Sequence, residues 1–150
     1  MSAFALVPRS DADHVQFKTI LRRLDAKGNG AAVNIPAVRE GDFRSGRLVI
    51  RSVPFVDPFR VTLRVWTERK HPQSIVITLN DAAGNAFASK RVLLDGRGTA
   101  ELIDVVHDFG NVPQRREPVN LTIDADGSKV WAFVSAINPN VAAPALHYPQ

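Results

Sequence analysis

The sequence predicts an all-β chain, folded as one antiparallel β-sandwich of about nine strands, immunoglobulin-like or jelly-roll in its connections. Three observations predict it. From about Phe59 to Tyr148, short segments alternate apolar and polar residues, the period of a strand that buries one face. Turns carrying Gly with Asp or Asn recur between them, residues that accept a positive φ or hydrogen-bond their own backbone. No stretch keeps a helical period for long. At 150 residues the chain suits a single domain whose core needs no staples. Residues 1–13 read as an extended leader and residues 14–150 as the sandwich.

Taken in order, Pro8 and two aspartates keep the leader irregular. Residues 14–24 fit period two through Val15, Phe17, Thr19 and Leu21, although a helix would also align Phe17, Ile20, Leu21 and Leu24. The turn at Asp25–Gly30 favours a strand entering a hairpin. Residues 32–38 read as a short edge strand, since Pro36 has no N–H to give a central ladder. After a polar stretch, residues 47–53 form a strand ended by Pro54 and Pro58.

In residues 59–66, Val61, Leu63 and Val65 share one face, and Arg60, Thr62, Arg64 and Trp66 the other. In residues 73–80, Ile75, Ile77 and Leu79 point inward. Asp81–Asn85 and Asp95–Gly98 are hairpin signals, with a strand between them. Residues 99–106 are a strand, or a strand running into one helical turn. Residues 110–118 carry two prolines and read as the longest loop. Residues 119–123 and 129–137 flank a turn at Asp124–Gly127, and a last short strand falls near His147.

Composition narrows the function. With no cysteine, the chain can form neither a disulfide nor a thiolate zinc site. No apolar run approaches the roughly 20 residues of a membrane-spanning helix. The first residues lack the basic start and apolar stretch of a secretory signal. The net charge of +4 is uneven, because residues 1–70 carry thirteen Lys and Arg against seven Asp and Glu. Those arginines are dispersed and are not interleaved with aromatics, which argues against nucleic acid. A basic half and a slightly acidic half could instead help copies meet head to tail.

No catalytic, metal or cofactor set emerges. There is no G-x-S-x-G elbow, and His14, His71 and His147 stand apart. His107 lies between Asp104 and Asp108, which is more simply a polar residue near a loop than a catalytic base. Asp25–Gly30 and Asp124–Gly127 have the oxygen-rich, Gly-kinked character of calcium loops, but hairpin turns require the same residues. Trp66 and Trp131, with Phe59, Phe87, Phe133 and Tyr148, could form an aromatic platform for stacking on sugar rings. Yet Trp131 alternates with Val130 and Ala132 and reads as core or cover. Trp66 shares a face with Arg60 and Arg64, so Trp66, Arg60 and Arg64 form the candidate contact surface.

Four segments also carry a resemblance. They are Phe59–Trp66, Ile77–Asn85, Leu94–Val106 and Val130–Asn140, the last with its Trp-Ala-Phe-Val-Ser run. Over residues 59–150 the chain resembles a β-sandwich module that recurs in bacterial secreted and cell-surface proteins. The resemblance implies a non-catalytic spacer or binding domain, extracellular or cell-surface, that contacts protein or polysaccharide. It implies no catalytic residue and no cofactor. The alternative is a structural assembly subunit, such as a virion, sheath or filament component, that self-associates in the cytoplasm if Met1 is the native start.

Overall fold

The computed structural model describes residues 8–11, 19–22, 32–35, 37–95, 99–102, 104–110, 112–113, 115–140 and 144–150. The chain divides into two compact units, Met1–Arg39 and Glu40–Gln150. In the first, a 3-10 turn at Arg9–Asp11 precedes the strands β1 (Thr19–Arg22) and β2 (Ala32–Ile35). These pair antiparallel from Thr19↔Ile35 to Arg22↔Ala32. The Asp25–Gly30 turn expected between them lies outside the described residues.

The second unit is mostly antiparallel sheet. Its strands are β3 (Arg44–Phe55), β4 (Arg60–Thr67), β5 (Gln73–Asn80), β6 (Ala86–Leu94), β7 (Thr99–Leu102), β8 (Arg115–Ile137) and β9 (Pro144–His147). One short helix, α1 (Val105–Asp108), follows β7. The seven strands join one sheet in the order β6-β5-β8-β4-β7, with β3 and β9 also paired to β8.

The expected alternation becomes burial. Val61, Leu63 and Val65 on β4 and Ile75, Ile77 and Leu79 on β5 are no more than 1 % exposed. They join residues of β3, β8 and α1 in one apolar cluster. At about 25 cal/mol per Å² of buried apolar surface, such a cluster is the main stabilising contribution of a sheet domain.

β8 is where the structure departs most from the sequence reading. Asp124–Gly127 was expected to close a hairpin, yet it lies inside one 23-residue strand. Asp126 (φ 48°) and Gly127 (φ 74°) adopt the positive φ that their residue types suggested. They kink a strand instead of reversing it. The reason lies in the partners. Residues 119–124 pair with β3 on one side, and residues 120–124 with β5 on the other. Residues 134–137 are likewise flanked by β4 and β9. Neither of these stretches leaves an edge on which the other could fold back. Across the kink, β3 advances two residues (Ser45 to Arg47) while its partner moves from Lys129 to Asp124.

Two further expectations are corrected in the same way. Residues 96–98 of the Asp95–Gly98 turn lie outside the described residues, but the strands on either side take other partners, β6 pairing with β5 and β7 with β4. A turn signal encodes a change of direction, but the choice of partner is made by distant residues. The supposed long loop at residues 110–118 is strand from Arg115 onward, and β3 runs through Pro54 to Phe55. In contrast, Asp81–Asn85 joins β5 and β6 as read. Asp81 Oδ1 accepts the Asn85 N–H at 2.8 Å, Oδ2 accepts from Asn85 Nδ2 at 3.1 Å, and Gly84 turns with φ 91°.

Side chains tie this turn to the rest. Asn120 Nδ2 donates to the Asp81 carbonyl, and Asn120 Oδ1 accepts the N–H of Ser52, whose φ of 57° marks a bulge in β3. Asn80 Nδ2 donates to Thr122 Oγ1 at 2.8 Å beneath it. At the sheet's ends, Lys90 Nζ of β6 donates to the Asp108 carbonyl at 2.9 Å, which links β6 to α1. The C-terminal residues close another side: Pro149 bridges Ile50, and the Gln150 N–H donates to the Val49 carbonyl.

Two predictions follow from the kink and the turn. A Cβ at Gly127 would meet nothing within 4 Å, so Gly127→Ala costs only the backbone term, about 1–2 kcal/mol by urea denaturation. The Asn85 backbone and side-chain hydrogen bonds hold the Asp81 carboxyl below its ordinary 3.8. A carboxyl whose folded pKa is depressed adds stability that is full above 3.8 and lost as pH falls through the folded value. Asp81→Ala therefore destabilises the chain at neutral pH, and the gap from wild type narrows below about pH 3.8 in denaturation curves.

Candidate functional site

The face of β4 opposite the core carries Arg60, Thr62, Arg64 and Trp66, as its alternation requires. Register decides what stands beside them. Arg60 pairs with Ile137, Thr62 with Ser135, Arg64 with Phe133 and Trp66 with Trp131. Trp131 and Phe133 therefore share the face of Trp66, although their neighbours Ala132 and Val134 are wholly buried in the core. β9 pairs antiparallel beyond β8, with Leu146 opposite Ser135, and delivers Tyr148 to the same cluster.

The result is a group of four aromatic rings. Trp66 stacks on Phe133 with centroids 5.5 Å apart and planes 15° apart. Trp131 is tilted against both, 5.1 Å from Trp66 and 5.5 Å from Phe133. Tyr148 lies 6.3 Å from Phe133 and 6.5 Å from Trp131. These separations fall in the range where aromatic pairs add about 0.5–1.5 kcal/mol beyond burial. The Arg64 guanidinium carbon sits 5.7 Å from the Phe133 ring centre, within cation–π reach.

Burial is graded across the cluster. Phe133 is 2 % exposed, Trp66 and Trp131 are half-buried, and Tyr148 is 36 % exposed. Arg60 is exposed at the start of the strand, and Arg64 is half-buried. Sequence reasoning placed Trp66, Arg60 and Arg64 on one face. It also grouped Trp131, Phe133 and Tyr148 with Trp66, together with Phe59 and with Phe87, which instead meets Phe55, and it left Trp131 between core and cover. Which of these aromatics meet is decided by the pairing of β4 with β8, which a single strand's alternation does not carry.

A second aromatic contact lies elsewhere on the sheet. Phe87 of β6 meets the buried Phe55 edge to face at 6.3 Å, and the Arg115 guanidinium covers Phe87 at 4.0 Å. It seals the core beside the Asp81 turn.

The other sequence candidates resolve into local structure. Asp104 Oδ2 lies 2.8 Å from His107 Nδ1, and Asp104 Oδ1 accepts the His107 N–H, which caps α1. His107 Nδ1 is thereby oriented and its ring is 70 % exposed. Asp124 Oδ1 accepts the Asp126 N–H at 3.1 Å, a local hydrogen bond within the kink. Among the described residues no group of three or more His, Asp or Glu is placed to hold a metal ion. No helix of the described residues is long and apolar enough to cross a membrane.

No family model and no curated protein matches this chain. Among solved structures, the chain is similar to the crystal structure of Thermotoga maritima 1070, with a TM-score of 0.53 at 10 % identity. The match covers 71 % of this chain and 93 % of that one, a likeness of fold alone.

Burial raises the pKa of Tyr148, the single tyrosine of the chain, above its ordinary 10.0. Because the neutral phenol is favoured in the folded state, this contribution to stability is full below pH 10.0 and is lost as pH rises through the folded value. Ultraviolet titration is expected to find the folded phenol ionising later than the urea-unfolded one. Phe133→Ala, which removes its ring neighbour, is expected to cost about 3–5 kcal/mol and to bring the phenol back toward its unfolded midpoint.

Proposed function

We propose that the chain is a non-catalytic binding module, a β-sandwich whose aromatic outer face holds a protein partner. The observation that carries the reading is the cluster of Trp66, Trp131, Phe133 and Tyr148 on the face of the sheet turned from the core. An outward face seldom collects aromatic rings unless something meets them, and Trp, Tyr and Arg are the residues enriched at the centres of protein interfaces. Trp131 and Tyr148, at the exposed margin, are the contacting residues, with Arg60 at the rim.

A protein suits the cluster better than a polysaccharide. Sugar rings stack on open aromatic faces, whereas Trp66 and Phe133 stack on each other and Trp131 tilts against both. A surface that meets ring edges and the phenol is the better complement. The sandwich itself is supported by the single apolar cluster shared by both halves of β8, which lets the sheet fold over one core at the kink. The likeness of residues 59–150 to modules of bacterial surface and secreted proteins supports an extracellular setting.

The assembly reading rests on another feature. β6 ends the order of strands, and its Leu93 is 66 % exposed. Yet β6 also carries Lys90 and Arg91, the kind of charges that blunt edge-to-edge pairing. The binding module is therefore the stronger reading.

The test uses the full chain and its Trp131→Ala/Tyr148→Ala variant as paired baits against surface and secreted proteins and against glycan arrays. With Tm matched within a few degrees, the variant is expected to lose a protein partner by about thirtyfold or more, the effect of truncating an interface hot spot. A partner held equally by both baits overturns the reading. Saturable binding to a glycan and to no protein replaces the protein with a polysaccharide.

A further inference from the structure

The exposed margin of the aromatic cluster presents hydrogen-bond donors without partners. Half-buried Trp131 and exposed Tyr148 meet their neighbours through their rings. Among the described residues, neither the Trp131 indole N–H nor the Tyr148 hydroxyl has a hydrogen-bond partner, whereas Trp66 and Arg64 have further partners in the chain. The side-chain atoms that are both buried and unpartnered belong to Gln73 and His147, so the Trp131 N–H reaches the surface. Arg60 is exposed at the start of β4. It takes no part in the ion pairs of the described residues, which join Lys90 to Asp108, His107 to Asp104 and Lys129 to Glu68.

These polar groups share one sense. An indole N–H and a guanidinium can only donate, and a phenol donates while it keeps its proton, the form that burial favours at Tyr148. Apolar rings edged with donors complement a ligand that is apolar, rich in carbonyl acceptors and poor in N–H groups. Among peptide conformations that is polyproline II, which has no internal hydrogen bonds and whose prolines carry no N–H. An α-helix, by contrast, uses its carbonyls in its own ladder. An added β-strand needs a free edge, and β8 has both edges taken at residues 134–137. A second copy of the same face would bring donors to donors.

Charge and spacing define the ligand further. Arg60 lies six positions before Trp66, the register partner of Trp131, on the same face of β4. At about 3.3 Å per strand residue, the two ends are ~20 Å apart. A polyproline II segment, rising about 3.1 Å per residue, covers that length in roughly six or seven residues. Leu146 of β9, opposite Ser135, lies on the face between the ends. On the reading of the chain as a binding module, we infer that this face takes a proline-rich segment in the polyproline II conformation, with an acidic residue at one end. Its prolines lie against Trp131 and Tyr148, whose N–H and O–H donate to its backbone carbonyls, and the acidic residue meets Arg60 about six positions away. Because polyproline II is largely preformed in the free peptide, little ordering opposes docking.

The test is fluorescence anisotropy of dye-labelled synthetic peptides titrated with the full chain. The probes are a run of about seven prolines ending in Asp-Asp, the same run ending in Lys-Lys, and a Gly-Ser repeat of equal length ending in Asp-Asp. Saturable binding is expected for the proline peptide ending in Asp-Asp, with the Gly-Ser peptide weaker by about tenfold or more. Trp131→Phe and Tyr148→Phe keep an aromatic ring and remove one donor each. Each is expected to weaken binding by about threefold to tenfold, the worth of one hydrogen bond, with little change in Tm. Arg60→Gln should erase the preference for Asp-Asp over Lys-Lys.

No saturable binding of the proline peptide overturns the proposal, as does equal binding of the Gly-Ser peptide or unchanged affinity in both Phe variants. If the Trp131→Ala/Tyr148→Ala bait still loses a protein partner in that case, the binding module stands and its partner is not proline-rich. If that bait loses nothing either, the module falls with the proposal.

Discussion

Double occupancy of β8 is the constraint on which the second unit rests. A strand in a sheet has two edges, and β8 has both taken over two stretches, residues 121–124 by β3 and β5 and residues 134–137 by β4 and β9. The hydrogen bonds of four strands therefore converge on one. Its kink keeps both ladders in register while the chain changes partners. Because side chains alternate with period two, the four residues between Asp124 and Lys129 must absorb the shift without turning the second half inside out. Val119, Leu121 and Ile123 before the kink, and Val130, Ala132 and Val134 after it, all reach the same core.

The same convergence positions the candidate surface. Trp131 and Phe133 project from the second half of β8 onto the face shared with Trp66. Asp124 and Asp126 stand exposed at the kink itself, joined by a local hydrogen bond. A change in β8 thus reaches that surface, the kink and the core. The elements around it are held by weaker, separable contacts. The Lys90–Asp108 pair is more than one-third exposed on each side and contributes little by itself, of the order of 0–1 kcal/mol. The Asn80–Asn120–Asp81 network is worth more in geometry than in energy, because it fixes the β5–β6 turn against the bulge of β3.

Much of this was legible in the residues. β5 and β6 run over the stretches that their alternation marked, and the Asp81–Asn85 turn joins them. The inward residues of β4 and β5 were readable too, because alternation within one strand is a local property. Among candidate residues, the common face of Arg60, Arg64 and Trp66 came from the same rule. The aromatics of the cluster could be listed from the sequence, but Phe59 and Phe87 could not be separated from them, since membership depends on which strand lies alongside and at what register. Asp124 and Asp126 likewise suggested a turn or a calcium loop, whereas the ladder partners that hold Asp124 in a continuous strand are far earlier, at Arg47 and Val76.

The sequence by itself determined that the chain is β-rich, where most strands run, which residues of β4 and β5 face the core, and that the Asp81–Asn85 and Asp124–Gly127 segments adopt a positive φ. These follow from period two and from the steric freedom of Gly and Asp, both set within a few residues. Only the tertiary structure decided that two apparent strands are one kinked strand, that β6 and β7 part company across Asp95, and that Trp66 faces Trp131 and Phe133. Pairing is a competition among distant edges. It is settled by which arrangement buries the common core, a quantity that no local window of the sequence contains.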